Sequence, residues 1–182
     1  DTRKPGEFAQ SHIPRSIFVG VDGGFAPWVA TVISDLTTPL LLVCDEGRVE
    51  EIITRLSRVG FDNPLGFLQG GMNAWVQADM EIATMVDVEA TDLEQHFEEW
   101  KADIVDVRKP GEYESAHIVG VPNRPLDTIH ENANEYKSDS KYYLHCAGGY
   151  RSVIAGSILQ RNGVQNIVNV KGGFGAINKT SL

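Results

Sequence analysis

The chain of 182 residues contains an internal repeat, and this repeat constrains its fold more than any other feature. Residues 1–8 read Asp-Thr-Arg-Lys-Pro-Gly-Glu-Phe, and residues 106–113 read Asp-Val-Arg-Lys-Pro-Gly-Glu-Tyr. His12 and Ile13 return as His117 and Ile118, at the same offset of 105 positions. A repeat of this length predicts two copies of one structural unit in tandem.

A second match supports the same organisation. Residues 60–71 resemble residues 163–173, each segment follows an arginine two positions earlier, and each ends in a Gly-Gly step. We therefore predict a first domain over residues 1–82 and a second domain over residues 83–182. The linker is expected within residues 77–86, where helical and strand patterns lapse.

Each copy alternates strand and helix patterns. Short apolar runs at 40–43 and 142–145 are each followed by a segment with helical periodicity, at 49–59 and 153–160. This alternation predicts an α/β fold in which a mostly parallel sheet is flanked by helices.

The second copy contains further elements at its start. Residues 92–100 form an amphipathic stretch that predicts a helix capped at Thr91 or Asp92, and residues 102–107 predict a strand with Asp106 at its carboxyl end. Asp1 is the equivalent of Asp106, so the first domain is expected to lack its leading strand. A central strand cannot normally be removed from a parallel sheet, and we therefore expect this chain to be a fragment of a longer polypeptide.

Charge and hydropathy exclude several classes of partner. The formal net charge is −9 and the pI is about 5.0, which disfavours binding to nucleic acid or to anionic lipid. The longest apolar stretch, residues 39–43, is far shorter than the roughly 20 residues of a membrane helix. A soluble, cytoplasmic protein without nucleic-acid or membrane partners is expected.

The chain has two cysteines, Cys44 and Cys146, without the spacing to other ligands that a zinc site or a disulfide framework requires. An isolated buried cysteine is usually a small hydrophobic core residue, so the surroundings of each one decide its role. No metal ion or organic cofactor is required by these residues.

Cys146 lies between a predicted strand and a predicted helix. The residues that follow it are Ala147, Gly148, Gly149, Tyr150, Arg151 and Ser152. A helix amino terminus presents unpaired N–H groups that stabilise a thiolate, and glycines let the backbone fold around the sulfur. We predict that Cys146 is the nucleophile and that Arg151, the second catalytic residue, pairs with an anionic donor. The other residues of the loop are expected to bind the substrate, with Ser152 as a helix cap that also offers a hydroxyl.

The tandem Asp-x-Arg-x-Pro-x-Glu-[Phe/Tyr] segments, the Cys-x-x-Gly-x-Arg loop and the terminal Gly-Gly steps resemble the rhodanese superfamily, over essentially the whole chain. The resemblance implies that Cys146 accepts a sulfane sulfur and passes it to a nucleophile, from a loop in the second domain. Related cysteine phosphatases use a loop one residue longer than the six residues of this one. The resemblance also implies a structural role for the remaining motif residues, which are Asp106, Arg108, Glu112 and His117.

The sequence departs from the family pattern before each motif histidine, where many relatives have glycine and this chain has Ser11 and Ala116. Rhodanese domains are often fused to metallo-β-lactamase-fold sulfur enzymes such as persulfide dioxygenases. The resemblance therefore also implies an upstream domain of that kind in the same polypeptide.

The first domain carries a loop that is expected to be inactive. Counting back from Gly60 and Gly163 places Arg48 opposite Arg151 and Val43, rather than Cys44, opposite Cys146. The loop is one residue shorter, and Asp45 and Glu46 are expected to raise the pKa of the Cys44 thiol and to repel an anionic donor.

These observations favour a sulfurtransferase whose donor is thiosulfate or a small persulfide and whose acceptor is a thiol. Thiosulfate, glutathione persulfide and a persulfidated protein remain open as donors. Two other functions remain open: a non-catalytic rhodanese-like binding or regulatory module, and a cysteine phosphatase, which the loop length disfavours.

Overall fold

Parallel strands followed by helices make up both halves of the chain, as the computed structural model of residues 1–182 shows. The chain divides into two units, Asp1–Thr84 and Met85–Leu182. The predicted α/β class with parallel sheets flanked by helices is confirmed. None of the helices is both long enough and apolar enough to cross a membrane.

The first unit contains two strands and four helices. The strands are β1 (Leu40–Leu42) and β2 (Pro64–Phe67), and the helices are α1 (Pro5–Gln10), α2 (Phe25–Val32), α3 (Val49–Ser57) and α4 (Gly71–Gln77). The strands pair in parallel, with Leu42 opposite Phe67.

Helix α3 shows how the sequence specifies this unit. Ile52 and Leu56 lie four residues apart and are both buried, so one face of the helix packs on the core. Glu50 and Glu51 lie in the first turn and Arg55 in the last, and these charges complement the helix dipole.

The second unit contains four strands and six helices. The strands are β3 (Val86–Val88), β4 (Ile104–Asp106), β5 (Tyr142–His145) and β6 (Ile167–Val170), and the helices are α5 (Ala90–Gln95), α6 (Phe97–Trp100), α7 (Pro110–Ser115), α8 (Ile129–Asn132), α9 (Tyr150–Arg161) and α10 (Gly173–Ile177). Short 3-10 helices cover Lys101–Asp103, Leu126–Thr128 and Ala133–Glu135.

The four strands of the second unit form one parallel sheet in the order β3-β6-β5-β4. Every residue of the two central strands, β5 and β6, is buried, as expected when helices cover both faces of a parallel sheet. Parallel strands end at the same edge, so the residues after β4, β5 and β6 meet there. This edge positions Cys146.

The start of the second unit differs from the prediction. The expected helix over 92–100 is two helices, α5 and α6, interrupted at His96, and it begins earlier because Glu89, not Thr91 or Asp92, is the cap. The Glu89 side chain accepts from the Asp92 N–H and the Asp92 carboxylate accepts from the Glu89 N–H, which satisfies two donors that a helix start leaves free. After the interruption, the Trp100 ring stacks on Tyr143 at 4.4 Å.

Candidate functional site

Cys146 directly follows β5 and is only 1% exposed. The Gly149 N–H donates to the Cys146 sulfur at 3.1 Å. Gly149 caps helix α9 with a φ of 93°, a left-handed conformation that glycine adopts without strain, and this turn brings its N–H to the sulfur. Ala147 and Gly148 are exposed at the rim, and Tyr150 is half-buried.

The second Gly-Gly step, Gly172 and Gly173, packs against the backbone of the cysteine loop. Gly173 has a φ of 52°, and a Cβ at this position would collide with the Cys146 carbonyl oxygen. The Phe174 N–H donates to that same oxygen at 2.6 Å, and the Gly175 N–H donates to the Ala147 oxygen at 3.0 Å. The start of helix α10 therefore holds the cysteine loop through its backbone.

Arg151 is bound to Glu112, a motif residue for which only a structural role is expected. Its guanidinium donates to both oxygens of Glu112, at 2.6 and 2.7 Å. The hydrogen bond from Arg151 lowers the pKa of Glu112 to about 2, against a smaller opposing effect of desolvation, and it raises the pKa of Arg151. Glu112 is therefore part of the site. An anion that binds Arg151 must share the guanidinium with the Glu112 carboxylate.

Ser152 does not cap helix α9, contrary to the prediction, because Gly149 occupies that position. The Ser152 hydroxyl lies within the first turn, 3.5 Å from the Cys146 sulfur, and it donates to the Asn169 side-chain oxygen at 2.7 Å. The Asn169 amide nitrogen donates in turn to Asp87 at 2.8 Å. Sequence reasoning missed Asn169 and Asp87, although a polar asparagine within the apolar run of β6 was a signal.

Asp106 and Arg108 form the framework beneath the site. Arg108 donates to both carboxylate oxygens of Asp106 and to the Ala116 carbonyl oxygen, so the end of β4 is tied to the end of helix α7. The predicted structural role of these two residues is confirmed by these bonds. His117, the other structural candidate, contacts the Tyr113 carbonyl oxygen through Nδ1.

His145, the last residue of β5, is completely buried beside this framework. Its Nε2 lies 3.9 Å from an Asp106 oxygen. Burial lowers the pKa of His145 to about 4, with Asp106 opposing the shift. A neutral imidazole therefore precedes Cys146 at neutral pH.

The first loop has a different register from the one predicted. The Thr2 N–H donates to the Val43 oxygen, and its repeat equivalent, the Val107 N–H, donates to the His145 oxygen. Val43 therefore matches His145, and Cys44 stands opposite Cys146. The register obtained from the helices was wrong by one position, because the deleted residue lies within the loop after the cysteine.

The surroundings of Cys44 oppose a reactive thiolate. Burial raises the pKa of the Cys44 thiol, and the Asp45 carboxylate raises it further. Arg48 is the cap of helix α3 and pairs with Asp22 at 2.8 Å and with Glu51 at 2.9 Å.

The structure contains no group of three or more His, Cys, Asp or Glu side chains that could hold a metal ion. The candidate site is therefore described by Cys146, its loop, and the polar residues that bind the loop.

Comparison with known proteins places these features in a family. The family model described as Rhodanese-like domain matches residues 1–78 and 89–180. The uncharacterized protein YqhL of Bacillus subtilis is 43% identical over 74 residues, which cover 41% of this chain and 59% of YqhL. The putative sulfur carrier protein YrkF of the same organism is 38% identical over 71 residues, which cover 39% of this chain and 38% of YrkF.

Among solved structures, a rhodanese-like domain protein from Staphylococcus aureus is 36% identical, with a TM-score of 0.48, over 51% of this chain and 91% of that protein. The chain spans 59% or less of the two curated relatives described above.

Proposed function

Because the chain belongs to the rhodanese-like domain family, with a match in each half, we propose that it is a sulfurtransferase that carries sulfur on Cys146. The donor is thiosulfate or a low-molecular-weight persulfide, and the acceptor is a thiol or another nucleophile. One observation supports this proposal most strongly: the Cys146 sulfur follows a parallel strand and receives the Gly149 N–H at the start of helix α9.

The reaction proceeds in two nucleophilic displacements. The Cys146 thiolate attacks the outer sulfur of thiosulfate, a new S–S bond forms, and the S–S bond of the donor breaks with its electron pair leaving on sulfite. An acceptor thiolate then attacks the outer sulfur of the Cys146 persulfide. The electron pair of that bond returns to Cys146, and the acceptor leaves as a persulfide, or as thiocyanate when cyanide is the acceptor.

The loop supplies the electrostatics of both steps. During the reaction negative charge moves between the Cys146 sulfur and the outer sulfur bound to it. The amino terminus of helix α9 and the Gly149 N–H, which donates to the Cys146 sulfur, stabilise negative charge on these atoms. Arg151 ends the same loop; its side chain is 15% exposed, and its guanidinium is bound to Glu112. A donor anion is therefore oriented by Arg151 while Glu112 limits the net positive charge.

One of the curated relatives supports the same chemistry. YrkF is named a putative sulfur carrier protein, and its similarity to this chain supports a role in carrying sulfur. The first unit has the raised thiol pKa of Cys44 and the paired Arg48, and we propose that it does not carry sulfur.

Intact-mass measurement after incubation with thiosulfate or glutathione persulfide tests the proposal. We expect a gain of one sulfur atom that cyanide removes, that Cys146→Ser abolishes and that Cys44→Ser leaves unchanged. No gain with either donor contradicts the proposal and favours a binding module. Turnover of an aryl phosphate by the wild type, lost in Cys146→Ser, would favour a phosphatase instead.

A further inference from the structure

A series of hydrogen bonds, buried at Cys146 and partly buried at Asp87, leads from Cys146 across the sheet to Asp87. Ser152 and Asn169 are its middle members, and they are 0% and 5% exposed. The Ser152 hydroxyl lies 3.5 Å from the Cys146 sulfur and donates to Asn169 at 2.7 Å, and Asn169 donates to Asp87 at 2.8 Å. Asp87 and Asn169 are register partners on β3 and β6, which places the carboxylate next to the amide.

The chemistry of these groups fixes which atom donates and which accepts in each hydrogen bond of the series. An ionised carboxylate accepts hydrogen bonds and donates none, so Asp87 holds the Asn169 amide nitrogen toward itself. The Asn169 oxygen then faces Ser152 and takes its single hydroxyl hydrogen. What Ser152 presents to the Cys146 sulfur is therefore a lone pair, which can accept an S–H but cannot donate to a thiolate.

We infer that Asp87 and Asn169 are positioning residues that turn Ser152 away from the sulfur and thereby restrain the nucleophilicity of Cys146 in the resting protein. This inference rests on the proposed function in one respect, that Cys146 is the nucleophile. The sulfur lies between two opposing groups: the Gly149 N–H favours the anion, and the Ser152 lone pair favours the thiol.

The first unit lacks this chain at the matching positions. Leu42 pairs with Phe67 where Leu144 pairs with Asn169, and Val49 follows Arg48 where Ser152 follows Arg151. Phe67 and Val49 have no hydrogen-bonding side-chain atoms. Ser152 and Asn169 therefore accompany the Cys146 loop, for which sulfur transfer is proposed. The Cys44 loop has no equivalent polar residues at these two positions.

Other charged groups surround Cys146 and must stay constant in any test. From helix α9, the charge of Arg151 interacts with Cys146, and the guanidinium is already bound to Glu112 of helix α7. From β5, His145 is neutral at neutral pH because burial lowers its pKa to about 4. Asp106 lies beside His145 and is paired with Arg108.

One cation, Lys171, lies near Asp87 at the far end of the hydrogen-bond series. The hydrogen bond to Glu89 raises the pKa of Lys171 most, and the charge of Asp87 adds a smaller contribution in the same direction. Glu89 is exposed and lies two residues from Asp87 on the same segment, but it is bound to Lys171 rather than to Asn169. It is therefore a matched control for loss of one negative charge.

The test measures the rate at which iodoacetamide alkylates Cys146 as a function of pH, by intact mass, in a Cys44→Ser background. In Asp87→Asn, the amide of Asn169 can turn, and Ser152 is free to donate to the sulfur. We expect alkylation at neutral pH to be about fivefold faster and the midpoint of the pH profile to fall, since one added hydrogen bond stabilises the thiolate. Glu89→Gln is expected to leave the profile unchanged.

Two further variants separate the hydrogen-bond chain from a general effect of charge. Asn169→Val removes the acceptor of Ser152 and is expected to shift the profile in the same direction as Asp87→Asn, which keeps the test valid if either variant folds poorly. On a Ser152→Ala background, Asp87→Asn should have no further effect, because the effect passes through Ser152.

The inference is overturned if Asp87→Asn and Asn169→Val both leave the profile where it is, or if Asp87→Asn shifts it equally with Ser152 removed. Sulfur loading is measured separately on the same proteins. A wild type that never loads sulfur contradicts the proposed function alone, because the alkylation profiles still report whether Asp87 controls Cys146.

Discussion

The two cysteine loops of this chain share a framework and differ in what surrounds the sulfur. In both units an Asp–Arg pair, Asp1–Arg3 or Asp106–Arg108, lies at the base of the loop. In the second loop the Gly149 N–H donates to the Cys146 sulfur, whereas in the first loop burial raises the pKa of the Cys44 thiol and the Asp45 carboxylate raises it further. The two units therefore share the ion pair beneath the loop and differ in the groups that surround the sulfur.

The two sheets also differ in how they are covered. Tyr143 of β5 is 1% exposed beneath Trp100, whereas Leu41, its equivalent in β1, is 78% exposed. Burial of an aromatic side chain is strongly stabilising, so Tyr143 contributes to the stability of the second sheet at a position where Leu41 contributes little to the first.

The glycines behind each loop give the largest expected difference. Gly173→Ala places a Cβ against the Cys146 oxygen and within 2.9 Å of the Ala147 carbonyl carbon, while the matching Cβ in Gly71→Ala lies 3.4 Å from the Cys44 oxygen. Both residues have a positive φ, which costs an alanine about 1–2 kcal/mol. We expect a loss of more than about 3 kcal/mol in the free energy of unfolding for Gly173→Ala and about 1–2 kcal/mol for Gly71→Ala.

Urea unfolding followed by circular dichroism measures both losses, and intact mass measures sulfur loading. Gly173→Ala should also abolish loading, and Gly71→Ala should preserve it. Equal losses of stability in the two variants would show that the backbone behind Cys146 can move aside.

The carboxylate next to Arg151 gives a smaller difference. Glu112→Gln removes the charge that neutralises Arg151, and we expect the KM for thiosulfate to fall by about threefold. Glu7→Gln changes the repeat equivalent, which accepts from the Lys4 N–H, and should leave the KM unchanged. A lower kcat in Glu112→Gln, without a change in KM, would mean that Glu112 orients Arg151 rather than competing with the donor.

Acid stability gives the smallest difference. The pKa of Glu112 is about 2 in the folded chain and about 4.5 ordinarily, so the stability from its ion pair is fully present above about pH 4.5 and is lost as the pH falls toward about 2. The contribution is under about 1 kcal/mol, because Glu112 is 37% exposed and solvent screens the pair.

Denaturant unfolding at about pH 6 and about pH 3 checks this dependence. Glu112→Gln should lose less stability than the wild type between the two pH values. The Glu7→Gln variant serves as the control and should follow the wild type. Parallel behaviour of all three proteins would contradict a stabilising role for the Glu112–Arg151 pair.

Much of the fold was predictable because its signals are local or repeated. The strand over 142–145 and the order of strands and helices follow from hydrophobic periodicity, and the repeat identified two units. Errors arose at helix starts: the Glu89 side chain caps helix α5 and begins it earlier, and Gly149, through its left-handed backbone conformation, caps helix α9 in place of Ser152. The free backbone N–H groups at a helix start can bond to several different partners, and the sequence alone does not show which partner is used.

The amino-acid sequence by itself determined the repeat, the α/β class, the nucleophile candidate Cys146 and the glycines around it, because each is recognised from the pattern of short sequence segments. Tertiary structure decided the partners of those residues. Arg151 finds Glu112 39 positions away, and Asn169 finds Asp87 82 positions away, through the order β3-β6-β5-β4 of the sheet. Neighbouring parallel strands come from distant parts of a chain, so the hydrogen bonds that control the sulfur are visible only in the folded protein.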